Sequence, residues 1–133
     1  MSYSAPSIAR FIYHTLLRPE ATRADILQLC REAREYNFAS VCLNAYWVPI
    51  AASELVGTDV KVCTVVGFPL GATSTEAKIG ETEAALRAGA QEIDMVQNIG
   101  ALRGDDDRAV EEEIALVAAA CHRHGAIVKV IIE

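Results

Sequence analysis

Five short runs of apolar, often β-branched residues, each separated from the next by a stretch of helical periodicity, constrain this chain more than any other feature. They cover residues 11–17, 38–43, 60–66, 90–100 (a strand running into a loop) and 127–132. Alternation of strand and helix with short connections predicts a parallel sheet built through right-handed crossovers. Two architectures satisfy it: about five βα units of a (β/α)8 barrel, or an open five-stranded doubly wound sheet. Periodicity does not choose between them. At 133 residues the chain is read as a single domain, 1–133, large enough to bury a core.

The intervening segments carry helix punctuation. Thr22 with Asp25 has the spacing of a capping box, followed by an apolar stripe of Ile26, Leu29, Cys30, Ala33 and Tyr36. Asn37 is placed to end that helix in the left-handed conformation. Pro49 suits the first turn of a short helix that Gly57 closes. Thr73 with Glu76 predicts a second capping box, and Gly89 ends the helix it opens. Asp105, Asp106 and Asp107 put negative charge where a helix start favours it, and that helix runs to about His124.

Composition removes several function classes. Hydrophobic residues make up 52% of the chain and the net charge is −6, so the chain is globular, and its scattered arginines give no basic patch for nucleic acid. No run approaches the ~20 apolar residues of a membrane span. The N-terminus lacks a basic segment followed by an apolar one, so a cytoplasmic protein is expected. Cys30, Cys42, Cys63 and Cys121 read as small buried hydrophobes, with no metal site or cofactor expected. His14 reads as a hydrogen-bonded structural histidine.

Chemistry is signalled by two charged residues out of place. Asp94 lies central in the fourth run, with Ile93 and Met95 on one face of a strand and Asp94 and Val96 on the other. Lys129 is equally isolated among β-branched residues of the fifth run. Each would be costly to bury alone, so they are expected to pair. Val62, Thr64 and Val130 are expected on the same inward side.

Several runs together resemble deoxyribose-phosphate aldolase, a class I aldolase family of β/α-barrel fold. They are His14-Thr15-Leu16-Leu17, Ala39-Ser40-Val41-Cys42-Leu43-Asn44, and residues 60–72 with Gly67-Phe68-Pro69-Leu70-Gly71-Ala72 at their end. Glu92-Ile93-Asp94-Met95-Val96, Asn98-Ile99-Gly100-Ala101-Leu102 and Val128-Lys129-Val130-Ile131-Ile132-Glu133 complete the set. The resemblance implies reversible cleavage of 2-deoxyribose 5-phosphate to glyceraldehyde 3-phosphate and acetaldehyde, through a lysine Schiff base and without cofactor. Asp94 then matches an acid that works through a water, Lys129 a lysine of the same network, and Thr15 and Cys42 positions lining the substrate site. Tyr13 stands where the family has an acid. The family's Schiff-base lysine lies on a sixth strand, a second lysine on a seventh, and its phosphate loops after the seventh and eighth. This sequence ends after the fifth run, and its lysines are Lys61, Lys78 and Lys129. The expectation is therefore a chain inactive by itself or, alternatively, a non-catalytic self-associating module. Unpartnered first and fifth strands predict a homo-oligomer, as a twofold dimer.

Overall fold

The computed structural model describes residues 8–133; the N-terminal residues read above for a leader lie outside the described residues. The strands are β1 (Tyr13–Leu16), β2 (Ser40–Leu43), β3 (Lys61–Val66), β4 (Glu92–Val96) and β5 (Ile127–Ile131). The helices are α1 (Arg23–Tyr36), α2 (Val48–Glu54), α3 (Thr75–Ala88), α4 (Ile99–Arg103) and α5 (Asp107–Arg123). All five strands are parallel and lie in the order β1-β2-β3-β4-β5.

That order decides between the two architectures. A doubly wound sheet reverses its direction of growth at a switch point. A sheet that always grows the same way, with crossovers of one hand, collects its helices on one face. Ile26, Leu29 and Ala33 of α1, Val48 and Ala51 of α2, Ala85 and Leu86 of α3, and Val117 and Cys121 of α5 all join one buried cluster with Val41, Leu43, Val62, Val66, Ile93 and Met95. Four βα units and a fifth strand, wound on one side, are a portion of a β/α barrel.

The same cluster corrects the facing of three residues. Val62 and Thr64 are buried and Val130 packs on the core, all toward the helices rather than inward. Register is the cause: Thr64 pairs with Ile93, whose side chain belongs to the helix-facing set. Thr64 Oγ1 accordingly donates 2.8 Å to the Leu43 carbonyl on the neighbouring strand.

Local caps follow the sequence with two shifts. Thr22 and Asp25 make both bonds of their box, and Asn37 sits at φ 53°. The α3 cap is Ser74, which accepts from the Ala77 N–H at 3.2 Å, instead of Thr73. Adjacent hydroxyls compete for the same helix end, and local spacing alone does not rank them. Tyr36, expected in the α1 stripe, is 58% exposed and stacks on Phe38. α4 lies within what read as loop, capped by Asn98 Oδ1 at 3.0 Å from the Ala101 N–H. Gly71 is the tightest joint: at φ +64° its missing Cβ would fall 2.1 Å from the Gln97 carbonyl, so the β3–α3 loop closes directly on the end of β4.

Candidate active site on the helix-free face of the sheet

Strand period two leaves Tyr13, Thr15, Cys42, Cys63, Val65, Glu92, Asp94 and Lys129 on the face turned away from the helices. Parallel register sets Asp94 directly opposite Lys129, and Cys42 opposite both Thr15 and Cys63. Lys129 Nζ is the centre of the group. It lies 2.5 Å from Asp94 Oδ1 and 3.1 Å from Glu92 Oε2. It also donates to Cys63 Sγ at 3.5 Å and stands 4.1 Å above the Tyr13 ring. The Tyr13 hydroxyl donates to Glu92 Oε2, closing the group from β1 across to β4.

Charge balance explains why these groups tolerate partial burial. Glu92 and Asp94, two residues apart on one strand face, would repel without the ammonium between them. Burial pulls the Lys129 amine down, but the close contact with the Asp94 carboxylate, its charge, and the hydrogen bond to Glu92 outweigh it and hold the amine above the ordinary lysine range. Lys129 is thus an ammonium at neutral pH. Burial first, and then the bond to Glu92, push the Tyr13 phenol up to about 12, so it stays a neutral donor. The set can hold a proton donor and acceptor side by side, but offers no free amine.

The expected Asp94–Lys129 pair is present, and Cys42 lies within 4.8 Å of Asp94, measured between ligand atoms. Thr15 shares the face but is exposed on β1, where its hydroxyl donates 2.8 Å to the Tyr13 carbonyl. Glu92 and Cys63 were missed as members, and Tyr13, read only as standing in the place of an acid, takes part through its hydroxyl and ring. Glu92 was within reach of sequence reasoning, because position i−2 of a strand shares the face of Asp94. Cys42, Cys63 and Asp94 present a donor set for a soft cation. The Lys129 ammonium already occupies the carboxylate of that set. His14 binds Glu32 at 2.6 Å through Nε2 and packs on Phe38, a structural contact.

A second ion pair lies on the other side of the sheet. Lys78 of α3 and Glu113 of α5 are 0% and 2% exposed, with Nζ 2.9 Å from Oε2. Lys78 Nζ also donates 2.8 Å to the Val96 carbonyl, and Glu113 accepts from the Asn98 N–H at 3.2 Å and from Thr75 Oγ1 at 3.5 Å. The pair fixes the end of β4 at Val96, two residues beyond Asp94, and Asn98 just after it. It escaped the sequence reading, although Glu113 falls on the stripe of Val110, Val117, Ala120 and Cys121. A hollow of about 470 Å³ at the β3–α3 loop, lined by Gly67, Phe68, Leu70, Thr73 and Glu81 among others, shares no residue with the Lys129 group or the Lys78–Glu113 pair. No helix among the described residues is long and apolar enough to cross a membrane.

A one-sided β/α layer with an acid–amine pair on its inner strands is part of a β/α barrel with a charged inner face. Residues 12–133 match the model of the DeoC/LacD family aldolases. The deoxyribose-phosphate aldolase of Bacillus cereus strain AH187 is 54% identical over 127 residues, covering 96% of this chain and 56% of the relative. That of Clostridium botulinum strain ATCC 19397 is 54% identical over 126 residues, covering 95% and 58%. Among solved structures, a deoxyribose phosphate aldolase from Aeropyrum pernix, described as tetrameric, superposes with a TM-score of 0.87 at 35% identity, covering 96% of this chain and 53% of that one. A Coccidioides immitis structure assigned to the same enzyme gives a TM-score of 0.95 at 41% identity, covering 100% and 52%. The chain belongs to the DeoC/LacD aldolase family. It spans about half the length of the relatives it matches.

Proposed function

We propose that this chain carries the proton-transfer half of a deoxyribose-phosphate aldolase site. The observation that supports it is the 2.5 Å Asp94–Lys129 pair on the inner face of a family member. In the reaction, an amine condenses with C1 of 2-deoxy-D-ribose 5-phosphate and water leaves. Loss of the C3 hydroxyl proton then breaks the C2–C3 bond, releasing glyceraldehyde 3-phosphate and leaving an enamine. Asp94, through a water, returns a proton to C2, and hydrolysis frees acetaldehyde. Lys129 keeps Asp94 oriented and charged-paired, while Thr15 and Cys42 line the approach of the sugar. No cofactor takes part.

Lys129 does not supply the condensing amine, because an ammonium paired with two carboxylates has no lone pair to give. Lys61 is exposed at the start of β3, and Lys78 is locked against Glu113. The amine therefore comes from outside these 133 residues. Purified, the chain alone is expected to show no retro-aldol turnover in a coupled assay for glyceraldehyde 3-phosphate. A chimera continuing residue 133 with the remaining strands of the Bacillus cereus relative is expected to be active. Turnover by the 133-residue chain that Lys129→Ala abolishes would overturn the assignment.

The reading extends to assembly and location. Among the described residues β1 pairs only with β2, and β5 only with β4. A second copy covering those edges, as a twofold dimer, follows from the cost of bare strand edges. Light scattering is expected to give a mass above the 14.3 kDa of one chain, and a stable species at that mass contradicts the dimer. The proposal places the protein in the cytoplasm, where its sugar phosphate would be met.

A further inference from the structure

Two thiols stand side by side in the inner face and have no part in the proton transfer just described. Cys42 of β2 and Cys63 of β3 are direct register partners on neighbouring parallel strands. Strands of a sheet lie about 4.8 Å apart, inside the range of Cα separations that a disulfide spans. Their sulfur atoms and an Asp94 oxygen all lie within 4.8 Å of one another. The neighbouring cation is Lys129, whose Nζ donates to Cys63 Sγ at 3.5 Å. An ammonium at that place competes with a bound metal ion and lowers the cost of negative charge on either sulfur of the pair, which turns the donor set toward sulfur chemistry. We propose that Cys42 and Cys63 form a reversible dithiol–disulfide site for which a small hydroperoxide is the oxidant.

The direction of attack follows from the surroundings. The Cys63 S–H reaches the Thr64 carbonyl at 3.9 Å, and the adjacent Cys63 thiol lowers the Cys42 thiol below its ordinary value against the opposing effect of burial, while Cys63 is raised. Cys42 is also the more exposed of the two, at 4% against 0%, on the face without helices. The Cys42 thiolate attacks the terminal peroxide oxygen, the O–O bond breaks, and the departing hydroxide of hydrogen peroxide, or the alkoxide of an alkyl hydroperoxide, takes a proton to become water or an alcohol. Cys42 is left as a sulfenic acid. Cys63 sulfur then attacks Cys42 sulfur, the S–S bond forms, the S–O bond breaks, and hydroxide leaves with the Cys63 proton as water. Two thiols lose two electrons and one peroxide is reduced. Oxidation removes the sulfur that Lys129 contacts and ties β2 to β3 beneath Asp94.

Cys30 and Cys121 serve as internal controls, because burial foremost raises both thiols, Cys30 to about 11, and both face the helix-side core. The folded chain is treated with stoichiometric hydrogen peroxide, alkylated under denaturing conditions and mapped by peptide mass spectrometry. The expected product is a Cys42–Cys63 linked peptide reversed by dithiothreitol, formed about tenfold or more faster than any loss of Cys30 or Cys121, as thiolate character dictates. Cys63→Ser is expected to stop at a sulfenic acid on Cys42 that dimedone captures, and Cys42→Ser to remove the fast reaction. A disulfide involving Cys30 or Cys121, over-oxidation of Cys42 without a link in the unsubstituted chain, or no reaction while the urea-unfolded chain reacts would each overturn the proposal.

Discussion

Lys78→Met is expected to destabilise the fold by about 3–5 kcal/mol, the range for stranding one partner of a buried ion pair. Glu113 would be left 2% exposed with its charge uncompensated, holding only the Asn98 N–H and Thr75 hydroxyl. The double substitution Lys78→Met with Glu113→Leu removes both charges and is expected to cost far less, roughly 1–3 kcal/mol. That remainder comes from the Val96 carbonyl and Asn98 N–H, which lose their partners in the interior. Urea unfolding of the two single variants and the double one gives the coupling directly. Losses that simply add would show that the pair contributes nothing jointly and that the segment after β4 is held by other means.

Asp94→Asn is expected to act on chemistry far more than on folding. Glu92 remains 3.1 Å from Lys129, so the ammonium keeps one carboxylate and the sheet keeps its shape. On the proposed role of Asp94, what would be lost is the group that exchanges a proton with water, an effect of about 10²–10⁴-fold on kcat for a positioned acid–base residue. In the chimera carrying the relative's remaining strands, kcat is expected to fall by that factor with KM little changed. An Asp94→Asn chimera as active as its parent would reduce the carboxylate to an electrostatic partner of Lys129.

The parts of this molecule legible in the sequence are those where a residue contradicts its neighbours. Asp94 and Lys129 stood out because each interrupts an apolar strand, and their register confirms that they meet. Glu92 did not stand out, since a carboxylate at the first residue of a strand is ordinary and only its contacts with Lys129 and Tyr13 give it a place. Lys78 was hidden for a related reason. Helices carry lysines on their solvent faces as a rule, and its partner lies 35 residues away on another helix. The five-strand alternation predicted a parallel sheet, but strand order is a matter of how crossovers stack, which no local pattern records. Thr64 shows the same limit at the scale of one residue. Its polarity suggested the site face, while the pleat, fixed by pairing with Ile93, turns it to the helices.

The place of Tyr13 also changes how the first strand is read. Where the family resemblance leads one to expect an acid, the phenol bridges to Glu92 and lies beneath the Lys129 ammonium. Glu92, itself in a run that resembles the family, accepts the phenol's hydrogen bond, and the tyrosine contributes a ring face and a neutral donor in place of an acid.

Reductive trapping tests most directly whether Lys129 is a charged partner and the condensing amine lies elsewhere. The 133-residue chain is incubated with acetaldehyde and cyanoborohydride and its lysines are mapped by mass spectrometry. Lys129 is expected to remain unmodified, with only slow, unsaturable labelling of the exposed Lys61. A saturable adduct on Lys129 would contradict the account.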